Sequence, residues 1–177
     1  MKILDLILKH GVVTKPYPFA PYDAGKNFRG KPEYNYALCI GCGACGIACP
    51  PNAIRVNFDT QKSILWHYDV GRCIFCGRCE EVCPTKAIKL GKEFELGVKF
   101  ERLDLITQAK LDTQNCLICS KPFASKRFVD FVLQKLDCSN LNPKRKSNAK
   151  YYVQICPNCK QNSNASAMCD KNYQKVE

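Results

Sequence analysis

The period of the apolar positions changes several times along the chain, and each change marks an element. Over residues 2–10, Leu4, Ile7 and Leu8, flanked by Ile3 and Leu6, share one side of a 3.6-residue period, and Lys2, Asp5 and Lys9 take the other. This predicts a short amphipathic helix, which either lies on a partner subunit or membrane surface or caps the protein's own core. Pro16, Pro18 and Pro21 then make residues 15–23 an extended, irregular arm that needs a surface to lie on. The period drops to two over residues 53–58 (Ile54, Val56, Phe58), and residues 64–70 are rich in β-branched and aromatic side chains, so both stretches predict strands. Residues 93–100 alternate again through Phe94, Leu96, Val98 and Phe100. Residues 102–111 predict a helix, residues 124–136 a second amphipathic helix, and residues 139–150 a polar loop.

Between these elements cysteine, glycine and proline take over. Cys39, Cys42, Cys45 and Cys49-Pro50 recur 34 positions later as Cys73, Cys76, Cys79 and Cys83-Pro84, together with Ile40/Ile74, Gly43/Gly77, Ala53/Ala87 and Ile54/Ile88. The doubled C-x2-C-x2-C-x3-C-P run is the spacing of bacterial ferredoxins with two 4Fe-4S clusters. Three thiolates at i, i+3 and i+6 on a tight loop reach three iron corners of one cubane, whereas the fourth, one helical turn on, faces the other cubane. The expected ligand sets are therefore Cys39, Cys42, Cys45 and Cys83 for one cluster, and Cys73, Cys76, Cys79 and Cys49 for the other. Ile40, Ile54, Ile74, Phe75 and Ile88 are expected to form an apolar shell that limits water access and tunes potential. A disulfide framework or paired zinc sites would not account for a doubled fourth cysteine followed by proline.

Composition shifts near Asp112. Cys116 with Cys119 and Cys156 with Cys159 form two C-x2-C knuckles, whose four thiolates suit zinc or a rubredoxin-like mononuclear iron, against the alternative of reduced structural cysteines. Cys138 is expected to be a small apolar residue after a helix and Cys169 a tail thiol. Lys144, Arg145 and Lys146 are expected on a solvated loop face, and His10 and His67 lack ligand spacing to any other candidate. The expected fold is α+β. An N-terminal amphipathic helix and docking arm (1–32) precede a two-cluster 4Fe-4S ferredoxin core (33–111) and a small zinc-ribbon or rubredoxin-like cysteine-knuckle domain (112–177).

Composition narrows the function. Asp5, Lys9 and His10 interrupt the apolar N-terminal residues in a way a secretion signal does not, and no apolar run approaches the roughly 18 to 20 residues that cross a bilayer. The 14 cysteines are thus expected in a reducing cytoplasm, where they mean metal. The formal charge of +11 counts cysteines as neutral. Each four-thiolate centre would bring about −2, so compensation of buried charge and docking to an acidic partner explain the balance better than nucleic acid. There is no nucleophile-base pair, phosphate loop or open metal site, so no reaction of its own is expected.

With these pieces placed, the chain resembles the ferredoxin-like electron-transfer subunits of respiratory complex I and of the related membrane-bound nickel-iron hydrogenases, most of all those of formate hydrogenlyase and hydrogenase 4. The resemblance rests on Asn27 to Pro32 (NFRGKP), Cys39-Ile-Gly-Cys-Gly-Ala-Cys, the run from Gly71 to Pro84, Ala87-Ile-Lys-Leu and the stretch around Phe94-Glu-Leu. It covers residues 1 to about 110 well, and the C-terminal knuckles favour the hydrogenase branch. It implies a two-cluster wire, without activity of its own, between an electron-donating iron-sulfur or formate dehydrogenase-like arm and the small and large hydrogenase subunits. Such a subunit sits on the inner face of the plasma membrane through its partners. A free soluble ferredoxin, and a basic zinc-knuckle nucleic-acid-binding protein with structural clusters, are the alternatives.

Overall fold

The computed structural model describes residues 3–12, 14–59, 63–99 and 101–164; Cys169 lies outside them. Helix α1 (Ile3–His10) has Asp5 in its first turn and Lys9 and His10 in its last, charges that complement the helix dipole. None of its residues is buried, and Ile3, Leu4, Ile7 and Leu8 face solvent. It does not cap the protein's own core. The arm that follows does find a surface, because the rings of Tyr17, Tyr22 and Phe28 pack around Phe94 with centroids 5.7, 5.4 and 5.7 Å away. Residues 93–99 are accordingly not a strand but the floor on which the arm rests.

The core repeats the sequence duplication in space. Strand β1 (Pro32–Tyr34) precedes the first cysteine run and pairs antiparallel with β4 (Ile88–Leu90), which follows the second, Tyr34 opposite Ile88. Strand β2 (Ile54–Asp59) follows the first run and pairs with β3 (Ser63–Asp69), which precedes the second, Ile54 opposite Tyr68. Tyr34/Tyr68 and Ile54/Ile88 are themselves 34 residues apart, so each strand pair is the counterpart of the other. Between them Ala53, Ile54, Trp66, Tyr68, Val70, Cys79 and Ile88 form the buried cluster, with Trp66 stacked on Tyr34 at 3.8 Å. Each cysteine loop opens with a short 3-10 turn whose N-cap side chain, Asn35 or Asp69, accepts from a backbone N–H two residues on. Each closes in a short helix, α2 (Ala44–Ile47) or α3 (Arg78–Val82). Of the expected apolar shell, Ile40, Ile54 and Ile88 are buried, but Ile74 is 60 % exposed.

The helix expected over residues 102–111 is replaced by a 3-10 turn (Arg102–Leu105) and strand β5 (Ile106–Asn115). Without it β3 would be an unpaired edge; β5 satisfies that edge over seven residues, from Ser63 opposite Asp112 to Asp69 opposite Ile106. Pairing with β3 outweighs the helical propensity of the segment. β5 then pairs with β6 (Pro122–Ser125), giving one sheet in the order β2-β3-β5-β6. The boundary expected at 111/112 thus falls inside a strand. Helix α4 (Lys126–Asp137) follows directly and buries Val129. The loop expected over 139–150 is instead largely helix α5 (Pro143–Val153), started by Asn142, whose side chain accepts from Lys144 N, and by proline at the first helical position. Lys144, Arg145 and Lys146 therefore sit on a helix, tied to α4 by Lys150 on the Asp137 carboxylate. Cys138 is the exposed C-cap of α4 and fills no apolar gap.

Candidate metal centres

Two small cavities lie in the core, and the cysteines divide between them by the crossed pattern. Cys39, Cys42, Cys45 and Cys83 line the first, with Tyr34 and Trp66. Cys49, Cys73, Cys76 and Cys79 line the second, with Tyr68 and Pro32. The loops are shaped to present sulfur: Gly41 (φ +69°) and Phe75 (φ +55°) occupy matched left-handed positions, and their backbone N–H groups point at Cys39 Sγ and Cys73 Sγ, each at 3.4 Å. Phe75 holds a conformation that non-glycine residues rarely adopt, at a site where local strain is expected to serve a function. Burial pushes the thiols of Cys45 and Cys79 up to about 11. Burial acts on Cys83 in the same sense, but the N–H groups of Ile88, Thr85 and Ala87 and the Thr85 hydroxyl outweigh it and lower the pKa.

The knuckles converge to a third group. The sulfurs of Cys116, Cys119, Cys156 and Cys159 all lie within 4.8 Å of one another, with Cys119 and Cys156 at 3.7 Å. A tetrahedral zinc with bonds of about 2.3 Å places its sulfurs about 3.8 Å apart, so the donor set fits such an ion. Ile118 N and Cys156 N donate to Cys116 Sγ at 3.4 and 3.3 Å, and Cys159 N to Cys156 Sγ at 3.5 Å. Burial opposes ionisation of Cys116, but the backbone N–H groups of Cys119, Cys156 and Ile118 bring it down to about 6. Hydrogen bonding with Cys156 pushes Cys159 up to about 12. The long insert between the knuckles is accommodated because β6, α4 and α5 fold back and return Cys156 beside Cys116, where Ile155 and Phe123 pack.

Residues 38–87 match the family model described as a 4Fe-4S dicluster domain. Formate hydrogenlyase subunit 6 of Escherichia coli (strain K12) is 44 % identical over 155 residues, which is 87 % of this chain and 84 % of that protein. The chain belongs to the formate hydrogenlyase subunit 6 family. NADH-quinone oxidoreductase subunit I 1 of Koribacter versatilis (strain Ellin345) is 38 % identical over 109 residues, 55 % of this chain and 71 % of that one. A chain of the membrane-bound sulfane sulfur reductase (MBS), an archaeal respiratory membrane complex, matches at 29 % identity over 59 % of each chain with a TM-score of 0.45.

Against this family membership, the cavities themselves test the fit of a cluster. Tyr34 and Tyr68 hydroxyls and Trp66 Nε1 are buried without a hydrogen-bond partner, a cost unless sulfur accepts from them. Burial, then the neighbouring Cys39 or Cys73 thiol, raises the pKa of each tyrosine, so both keep the proton needed to donate. A 4Fe-4S cluster would supply electron storage there, and the protein residues supply ligands, donors and exclusion of water. Two arginines that spacing did not single out hold the loops from outside. Arg29 of the NFRGKP stretch reaches Cys76 O at 3.4 Å, and Arg127 of α4 reaches Tyr36 O at 2.8 Å and Cys39 O at 3.2 Å while lying over the Tyr36 ring. Arg127 is 88 residues from Cys39, so only the fold could reveal it.

Proposed function

We propose that the protein is an electron-transfer iron-sulfur subunit that relays electrons between a formate dehydrogenase-like donor module and a membrane-bound nickel-iron hydrogenase core. It holds two 4Fe-4S clusters, one on Cys39, Cys42, Cys45 and Cys83 and the other on Cys73, Cys76, Cys79 and Cys49, and one zinc on Cys116, Cys119, Cys156 and Cys159. The observation that carries the reading is the sorting of eight cysteines into two cavities, three from one run and one from the other in each. Membership of the formate hydrogenlyase subunit 6 family supports the assembly. The protein catalyses no reaction by itself; its ligands and donors serve only to hold and tune centres that exchange single electrons.

The unburied apolar stripe of α1 favours a subunit over a diffusible carrier, which has little use for it. Among the described residues no helix is long and apolar enough to cross a membrane. In this reading the protein is peripheral on the inner face of the plasma membrane, held by the hydrogenase small and large subunits, and its family membership supports attachment to a complex. Nucleic acid is not a partner in this reading. Affinity purification after mild detergent extraction tests it: hydrogenase and donor subunits are expected to co-purify, and a homogeneous monomer from the soluble fraction alone would refute it.

A further inference from the structure

The 34-residue repeat relates the two cavities, so the groups facing each can be compared position by position. Several cancel. Gly41 N and Phe75 N donate to the first sulfur of their runs at the same 3.4 Å, and Tyr34 and Tyr68 bury matching hydroxyls. Arg127 and Arg29 each hold one carbonyl of a cysteine, at 3.2 and 3.4 Å.

Other pairs do not cancel, and the differences in hydrogen-bond donors all favour the first cavity. Trp66 lines the first cavity with a buried N–H that has no other partner, where its counterpart in the second, Pro32, has no donor. Thr85 Oγ1 lies 3.7 Å from Cys83 Sγ, and its counterpart beside Cys49 is Pro51. Ala87 N donates to Cys83 Sγ at 3.2 Å, and among the described residues Ala53 N makes no such bond to Cys49. Charge adds little. α3 carries Arg78, Glu80 and Glu81, but its cation pairs with Glu81 at 2.7 Å and Lys86 Nζ reaches Glu80 O at 3.4 Å, while α2 has Ala44, Gly46 and Ile47 at the matching positions. Asp69 stands where the other half has Asn35, although Arg102 at 2.7 Å compensates it.

Donors aimed at cluster sulfur favour the reduced state, because reduction adds negative charge there, and nearby carboxylates oppose it. We propose that the cluster of Cys39, Cys42, Cys45 and Cys83 is the higher-potential member of the pair, made so by Trp66 and Thr85. A single electron from the donor iron-sulfur protein then comes to rest in the first cavity, and the second is the harder to reduce. The step is one-electron exchange, the donor oxidised and the first centre reduced, with no bond made or broken. Trp66 and Thr85 are positioning residues for that electron. The proposal rests on the two-cluster reading.

Anaerobic redox titration of the isolated holoprotein, followed by electron paramagnetic resonance, tests it. The wild type should show two successive one-electron waves. Thr85→Val should lower the higher wave and leave the lower in place, by up to about tenfold in the reduced-to-oxidised ratio at a fixed potential, which is about 59 mV for one electron. Thr85→Ser, which keeps the hydroxyl, should restore it. Trp66→Phe should lower the same wave, and it decides the matter if Thr85→Val loses iron. A shift of the lower wave, or of neither, overturns the proposal. Iron for only one cluster in the wild type would instead overturn the two-cluster reading, and iron content separates that failure from the others.

Discussion

Gly41 tests whether the C-terminal segment is packed against the first cysteine loop. A Cβ there would meet Ser125 Cβ at 2.9 Å and Ser125 Oγ and Leu111 Cδ1 at 3.0 Å, and the residue sits at φ +69°. Ser125 and Leu111 are each only 1 % exposed, so neither can swing into solvent. Gly43 supplies the control, because it has φ +78° but open space where its Cβ would go. Left-handed strain costs about 1–2 kcal/mol at either position. Overpacking adds about 2 kcal/mol at Gly41 alone, and such a difference corresponds to a factor of about 30. The assay is the rate at which the anaerobic holoprotein loses iron to a chelator, read from cluster absorbance. Gly41→Ala should lose iron from the first cavity at least tenfold faster than Gly43→Ala does, and Ser125→Gly in the same chain should remove most of the excess, since it deletes two of the three close contacts. Equal rates for the two alanine variants, or no relief from Ser125→Gly, would show that β6 does not press on the loop.

Cys49→Ser should damage the cluster of Cys73, Cys76 and Cys79 and spare the signal that Cys42→Ser removes; in paramagnetic resonance, loss of the same signal by both variants would mean sequential ligation. Cys156→Ser should release one zinc per chain in elemental analysis and leave the second-cavity spectrum intact, whereas unchanged metal content would remove that site. Any iron lost with it should come from the first cavity, where Ser125 and Arg127 make contact. Arg78→Ala should lower the potential of the second cluster, because it leaves Glu81 uncompensated; the pair is about 60 % exposed on both sides, so screening limits the effect to about 1 kcal/mol or less. A rise on titration would contradict the sign.

The grouping of the cysteines was legible in the chain because spacing is a local property. Three thiols on one loop, a fourth one helical turn away and a proline after it, repeated once, suggest two crossed groups of four, and the two cavities are lined by those same groups of cysteines. The helices α1 and α4 were legible for the same reason, since an apolar stripe at 3.6 residues is written in consecutive positions. Helix α5 carried a local signal too, Asn142 before Pro143, but its polar faces concealed it within an apparent loop. What the tertiary structure alone decided concerns surfaces that meet from far apart. Residues 106–111 are strand because β3 offers a ladder of unpaired backbone groups, a demand no window around those residues contains. The Tyr34 and Tyr68 hydroxyls and Trp66 Nε1 read as ordinary core until the fold buries them beside the cysteines without partners. Arg127 reaches Cys39 O only because the sheet continues through β5 and β6, and hydrogen bonds across such separations depend on the path of the backbone, which spacing does not record.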